Sequence, residues 1–228
     1  RINSDTGVKT IRTLRESPIE AITQVIAHNV TLLGKNGSNI IQGKVGSTIT
    51  TFNPSTTGVD PTDGIVRRVN CEAFSSVRTG AGTTGRDTDD PENVAILEVL
   101  SGSCADPNFF AITRGVFIFG TGAIPDGDPV NSATFSLFGT ASTSNFGQTV
   151  DLTLASSTAD NTIVANDYGN NLGHTILQSD TQIAIADWLS GYNDFPLNTT
   201  GVGNISVTAN TKFGTKFSGD RTNTAPAW

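Results

Sequence analysis

Apolar and polar residues alternate strictly in several short segments of the chain. In residues 133–138 Ala, Phe and Leu alternate with Thr and Ser, and in residues 149–154 Val and Leu alternate with Asp and Thr. Successive side chains of a β-strand point to opposite faces of its sheet, so a period of two predicts strands with one buried face.

Further apolar runs are separated by segments rich in Gly, Pro, Asp and Asn, which form turns. Together with the two alternating segments, the predicted strands are residues 65–69, 94–100, 109–119, 133–138, 149–154, 182–189 and 212–217. Many short strands with turns between them are typical of an antiparallel β-sandwich. A single helical turn is predicted within residues 199–207.

The first part of the chain has a different pattern. Ser17, Pro18 and Glu20 suit the first turn of a helix, which is predicted from about Pro18 to His28, although its β-branched residues leave a strand as an alternative. Two apolar runs around Asn36-Gly37 then predict a hairpin. A loop rich in Gly, Pro and Asp follows at residues 55–64. We therefore divide the chain into an N-terminal arm, residues 1–58, and a β-sandwich, residues 59–228.

Composition narrows the classes of partner. The charged fraction is 15%, Gly numbers 24 and the formal net charge is -7, a mixture typical of extracellular β proteins. A negative chain repels the nucleic-acid backbone, so nucleic-acid binding is not expected. No apolar run reaches about 18 residues, so insertion into a membrane is not expected either.

Cys71 and Cys104 are the only cysteines, and each is predicted at the edge of a strand. In an oxidising compartment they would form a disulfide, and in a reducing one they would be two buried thiols. The sequence leaves both alternatives open.

No catalytic signature accompanies this pattern. GAGTTG at residues 80–85 matches G-x-G-x-x-G, but a turn-like sequence follows it where a nucleotide-binding helix would begin. The nucleophile motif G-x-S-x-G is absent, and His174 is predicted in a loop. We therefore expect a protein that is not an enzyme, although a catalytic triad or a carboxylate pair assembled by the tertiary structure stays open.

Two sets of residues are candidates for ligand binding. Calcium is the candidate cofactor, and oxygen atoms of Asp87, Asp89 and Asp90 would hold it; solvated loop charge is the alternative. Sugars stack on exposed aromatic rings. The candidate glycan-binding residues are Tyr168, Trp188, Tyr192 and Trp228, with packing in the core as the alternative for each.

The segment ITRGVFIFGTGAIPDGDPVNSATFSLFG, with the later STADNTIVANDYGN and GYNDFPLNTTGVGNISVTANTKFG, resembles a domain common in bacteriophage virion and tail-fibre proteins and in bacterial surface proteins. That domain is similar to the jelly-roll carbohydrate-binding modules of the DNRLRE type. Arg114 to Phe119, Thr121 to Gly127 and Ser132 to Gly139 stand in place of its motifs, and the resemblance covers about Val59 to Trp228.

Two departures accompany the resemblance. Gly122 stands where the family usually has Ser, and the chain given ends at NTAPAW, before the closing strand of the family. A sandwich without that strand would have an unpaired edge. A strand from a neighbouring subunit, such as residues 38–52, would fill it. The alternative is a closing strand that was cleaved off or lies in another chain.

The resemblance implies an antiparallel jelly-roll β-sandwich. The N-terminal arm with its short helix and hairpin, predicted above from the residues themselves, precedes it. The resemblance also implies a non-enzymatic structural or adhesive protein at a virion surface or in an extracellular fibre. Such a protein would assemble with copies of itself or with other virion or fibre subunits, and would bind host-surface glycans. The alternative is a secreted carbohydrate-binding module of a polysaccharide-degrading enzyme.

Overall fold

A computed structural model describes residues 30–33, 39–43, 52, 62–87, 98–100, 104–105, 107–124, 129–139, 142 and 147–227. The chain divides into two compact units, Arg1–Thr51 and Phe52–Trp228. The division lies a few residues before the predicted domain boundary at residue 58.

The first unit contains the predicted hairpin. Strand β1, Val30–Leu33, pairs antiparallel with strand β2, Asn39–Gly43. The hairpin prediction is thus confirmed for its two strands. The predicted Asn36-Gly37 turn and the helix predicted over residues 18–28 lie outside the described residues.

The second unit is built from antiparallel strands. Its strands are β3 Asp63–Ala73, β4 Thr84–Asp87, β5 Glu98–Leu100, β6 Asn108–Phe119, β7 Thr134–Gly139, β8 Thr149–Leu154, β9 Ile183–Ala184, β10 Gly191–Pro196 and β11 Thr211–Phe217. Seven of them form one sheet in the order β4-β3-β6-β11-β8-β9, with β5 also paired to β6, while β7 and β10 form a second sheet.

Short helices complete this unit. The α-helices are α1 Phe74–Thr79, α2 Asp167–Asn170, α3 Thr199–Gly203 and α4 Ser218–Thr222. Single 3-10 turns cover Thr121–Ala123 and Ile185–Asp187. Helix α3 confirms the helical turn predicted within residues 199–207. Its cap is Asn198, whose side-chain oxygen accepts a hydrogen bond from the amide of Gly201 at 2.9 Å.

Strand β6 is the centre of the large sheet. Strand β3 pairs along one edge of it, while its other edge pairs with β5 near Ile112 and with β11 from Gly115 to Phe119. All eight residues from Ala111 to Ile118 are buried. A strand covered on both faces has apolar residues at consecutive positions, which explains Ala111-Ile112 and Val116-Phe117-Ile118 on either side of the buried polar residues Thr113 and Arg114.

The small sheet packs on one face of the large sheet. Phe135 of β7 contacts Phe117 of β6 edge to face, with ring centroids 5.2 Å apart, and Phe195 of β10 and Phe213 of β11 complete the contact. These residues belong to one hydrophobic core. The all-β sandwich predicted by the alternating pattern is therefore confirmed.

A second hydrophobic core covers the opposite face of the large sheet. Val66, Ile112 and Val116 of the sheet pack there with Val77 of α1 and Tyr168 of α2. Because both faces are covered, the polar positions of β8 are buried as well. Asp151 and Thr153, which the alternation would place towards solvent, are fully enclosed.

The segment GAGTTG leads into strand β4 and not into a helix. A β-carbon at Gly82 would overlap the carbonyl oxygen of Ala165, and one at Gly85 would overlap the backbone of Val164. Glycine is needed there because two backbone segments approach closely. The motif thus has a packing role, and its last two residues belong to the edge strand β4.

The sequence predictions and the structure also differ in two neighbouring segments. Of the strand predicted over residues 182–189, only Ile183–Ala184 is extended, because a 3-10 turn begins at Ile185. Strand β10 was not predicted, since Asn, Asp, Pro and Gly are uncommon in strands. It pairs with β7 over its whole length from Gly191 to Pro196.

Candidate ligand-binding surface

The outer face of the small sheet presents two exposed aromatic rings. Phe138 of β7 and Tyr192 of β10 are direct cross-strand partners. Their side chains are 60% and 68% exposed, and their ring centroids lie 5.3 Å apart in an edge-to-face arrangement. This pair is held in place by the same register that directs Phe135 and Phe195 into the core.

A polar pair lies next to the aromatic pair on this face. Ser136 is the cross-strand partner of Asp194, and its hydroxyl donates a hydrogen bond of 2.6 Å to Oδ1 of the carboxylate. Both side chains are exposed. A carboxylate beside a ring can accept hydrogen bonds from hydroxyl groups of a ligand. We call Ser136, Phe138, Tyr192 and Asp194 the outer-face cluster.

The turn before β10 brings an apolar side chain to the edge of the small sheet. Leu189 is 60% exposed. Its amide donates to Oδ1 of the buried Asn193 at 2.9 Å, and its carbonyl accepts from Nδ2 of the same residue at 3.0 Å. Gly191, with φ of +144°, makes the turn that this contact requires.

Trp188 lies between this turn and the core. Its ring is half-buried and packs against Phe195, with ring centroids 6.5 Å apart. Position 139 must be Gly, because a β-carbon there would overlap Nε1 of Trp188 and the carbonyl oxygen of Leu189. Trp188 therefore contributes mainly to the packing of the small sheet and less to its exposed face.

The structure separates the four aromatic candidates. Tyr192 lies on the exposed face and Trp188 packs partly beneath it, whereas Trp228 lies outside the described residues. Tyr168 is fully buried, and its hydroxyl donates to the carbonyl oxygen of Val77 at 2.8 Å. The prediction of Tyr168 as a surface aromatic is corrected on this ground: its ring faces the second core and no surface.

The remaining candidates are the two cysteines and the three predicted calcium ligands. Cys71 and Cys104 form a disulfide with a Cα–Cα distance of 5.5 Å. Oδ1 of Asp87 accepts a hydrogen bond from the amide of Ile163 at 3.0 Å, and Asp89 and Asp90 lie outside the described residues. Within the described part of the chain, no group of three His, Cys, Asp or Glu residues is placed to hold a metal ion.

A buried ion cluster lies on the opposite side of the large sheet. The guanidinium of Arg114 donates to both carboxylate oxygens of Asp220, at 2.7 and 2.9 Å. It also donates to the carbonyl oxygens of Tyr168 and Arg78, and its carbon lies 3.9 Å from the centre of the Tyr168 ring. Every described donor contact of this guanidinium is internal, so the cluster holds the fold together.

Electrostatics in this cluster follow from burial and pairing. Burial lowers the pKa of Arg114, but the hydrogen bond and charge of Asp220 outweigh it and leave this pKa raised. Burial raises the pKa of Tyr168. Burial also lowers the pKa of Arg78, against the opposing charge of Asp220. The shifts of Arg114 and Tyr168 both move the pKa further above neutrality, so these two groups keep their protons at neutral pH.

Lys216 lies buried in strand β11 near this cluster. Burial lowers its pKa to about 7, although the charge of Asp220 opposes the shift. Its ammonium donates to the backbone carbonyl oxygens of Asn171 and of His174, the latter at 2.7 Å. It thereby braces the turn that follows α2.

Three features of these sites were missed by sequence reasoning. Phe138 was not predicted as a binding residue, although the alternation places it with Ser136 on the outer face of the strand. Arg78 and Asp220 carried no local signal, because they meet Arg114 only after 36 and 106 residues of separation.

Comparisons with protein-family models, curated proteins and solved structures found no match to this chain. No helix among the described residues is long and apolar enough to cross a membrane.

Proposed function

We propose that this protein is a non-enzymatic structural and adhesive component of a bacteriophage virion or an extracellular fibre. It has a jelly-roll sandwich, assembles with copies of itself, and binds host-surface glycans through the outer-face cluster. The observation that carries the proposal is the exposed cross-strand pair of Phe138 and Tyr192.

Exposed aromatic rings side by side favour a binding role. Their burial in a complex would remove a large apolar area from water. A pyranose offers a C–H face that packs on such rings, and its hydroxyl groups would reach Asp194 and Ser136, the next cross-strand pair on the same face. Apolar contact beside hydrogen-bonding groups is the combination that sugar recognition requires.

The location of the protein is supported by the Cys71–Cys104 disulfide. Disulfides persist in oxidising surroundings such as the cell exterior and virion surfaces. The net charge of -7 also disfavours nucleic acid as the partner. These two features fit a surface protein better than a cytosolic one.

A secreted carbohydrate-binding module of a polysaccharide-degrading enzyme is the second candidate. The same outer-face cluster favours it, because both functions need a sugar-binding face. The two differ in assembly: a virion or fibre subunit forms large regular particles, whereas the detached module stays monomeric. Light scattering with negative-stain imaging of the full chain separates them.

The direct test is a glycan array followed by calorimetry with the best glycan. We expect saturable binding that falls at least tenfold in Tyr192→Ala and in Phe138→Ala. Ile176→Ala is the matched control, since Ile176 is an exposed apolar residue outside β7 and β10. Absence of binding across a broad array, or equal binding by all three variants, would refute the glycan-binding role.

A further inference from the structure

A serine just after β8 and a histidine in the turn after α2 form a contact that the proposed function does not use. Oγ of Ser156 lies 2.7 Å from Nε2 of His174. Both residues are only partly buried, so solvent molecules and small solutes can approach them. A hydroxyl within hydrogen-bond reach of an imidazole is the arrangement in which serine becomes a nucleophile.

The backbone of Ser156 is fixed by one side chain. Its amide donates to Oδ1 of Asn171 at 2.9 Å, and its carbonyl accepts from Nδ2 of the same residue at 2.8 Å. Nδ2 also donates to the carbonyl oxygen of Asp167. Asn171 is itself buried. The serine is therefore held at both of its backbone hydrogen-bonding groups.

The backbone of His174 is fixed by a second buried side chain, that of Lys216. Its carbonyl oxygen accepts a hydrogen bond of 2.7 Å from the ammonium of Lys216, which also donates to the carbonyl of Asn171. One buried side chain thus holds both ends of the turn between residues 171 and 174. The backbones of the serine and the histidine are thus both anchored by buried side chains, which favours a constant orientation of the pair.

The imidazole is in the correct state to act as a base. Burial, followed by the charge of Lys216, lowers the pKa of His174, so the ring is neutral at pH 7. In the neutral tautomer with its proton on Nδ1, Nε2 has a free lone pair and accepts the proton of the Ser156 hydroxyl.

From this geometry we propose that Ser156 is an acyl-accepting nucleophile, with His174 as its general base and with activated carboxylic esters as its acyl donors. Oγ of Ser156 forms a bond to the carbonyl carbon while its proton moves to Nε2 of His174. The bond between that carbon and the leaving oxygen then breaks, and the leaving alcohol takes the proton from Nε2. Asn171 and Lys216 are positioning residues.

The test uses the full chain and p-nitrophenyl acetate at pH 7.5, with the acetylated residue identified by peptide mass spectrometry. We expect one acetyl group on Ser156, together with release of one equivalent of p-nitrophenol. Ser156→Ala should abolish this product. His174→Gln, which can keep a hydrogen bond but cannot act as the base, should slow acetylation at least about 100-fold.

Ser157→Ala is the matched control. Ser157 is the next residue in the chain and its hydroxyl accepts a hydrogen bond from Lys212 at 3.0 Å, so no imidazole activates it. The variant should react like the wild type. Wild-type protein that is not acetylated at Ser156, or acetylated there as fast in His174→Gln, would overturn the proposal. Either result is independent of glycan binding, because none of these residues belongs to the outer-face cluster.

Discussion

Arg114 and Asp220 form a two-pronged ion pair in the interior of the protein, between the central strand of the large sheet and the last helix. Nε and Nη2 of Arg114 donate to Oδ2 and Oδ1 of Asp220, and both side chains are at most 1% exposed. A planar guanidinium and a carboxylate match in this geometry. The pair fixes α4 to β6 across 106 residues of sequence.

Removing one partner of this pair should be strongly destabilising. Asp220→Ala leaves the guanidinium of Arg114 buried without its counter-ion, which costs about 3 to 5 kcal/mol. Urea denaturation measures the loss of unfolding free energy. The matched control is Glu72→Ala, which removes the partly exposed pair of Arg68 and Glu72 and should cost at most about 1 kcal/mol. Equal losses in the two variants would contradict this account.

A double substitution separates the charge from the packing. Arg114→Met with Asp220→Leu removes both charges and should recover part of the loss of Asp220→Ala. Recovery should be incomplete, because the carbonyl oxygens of Tyr168 and Arg78 lose the donor that Arg114 supplies. A double variant less stable than Asp220→Ala would show that the charges themselves stabilise the fold.

Lys216 should make stability increase with pH above neutrality. Its pKa is about 7 in the folded protein and about 10.4 in an unfolded chain, so between these values the unfolded chain binds the extra proton. Stability then rises with pH across this window, with a slope of up to about 1.4 kcal/mol per pH unit. Below pH 7 both states hold the proton and this dependence disappears.

The measurement compares urea denaturation at pH 7.5 and pH 9 for the wild type and Lys216→Met. The variant has no titrating group at this position, so its increase in stability between the two pH values should be smaller. The difference between the two proteins isolates Lys216 from other groups that titrate in this range. An identical increase in both would show that Lys216 is not responsible.

The disulfide should contribute substantially to stability. Cys71 and Cys104 are 33 residues apart, and closing a loop of this length stabilises a protein by about 3 to 4 kcal/mol in the chain-entropy model. Reduction by dithiothreitol should therefore lower the melting temperature of the wild type. A variant with both cysteines replaced by Ser should melt at the lower temperature with or without the reductant. A wild type indifferent to reduction would contradict the prediction.

Gly139 should not tolerate a side chain. In Gly139→Ala the new β-carbon overlaps the indole of Trp188 and the carbonyl of Leu189, and such overpacking typically costs about 1 to 3 kcal/mol. Displacement of Trp188 should also change the tryptophan fluorescence of the folded state. Gly173→Ala is the control, because nothing lies within 4 Å of its new β-carbon. Its stability should be unchanged or slightly higher.

Local pattern alone was sufficient for most of the strands. The alternation in residues 133–138 predicted both the strand β7 and the side of it that is buried, because a half-buried strand has the same period as its pleat. The alternation of residues 149–154 predicted β8 equally well. It wrongly predicted, however, that the polar face of this strand is exposed to solvent. That face is covered by other parts of the chain, and Asp151 there binds Arg221 at 2.5 Å.

The sequence by itself determined the all-β class, the hairpin of the first unit and the inward face of β7, since each depends on neighbouring residues and on the strand period. Only the tertiary structure decided that Tyr168 is a core residue and Tyr192 a surface one, because both are aromatic residues in polar contexts. It also decided the pairing of Arg114 with Asp220 and of Ser156 with His174. Such contacts depend on how strands distant in sequence pack together, and no local period encodes that packing.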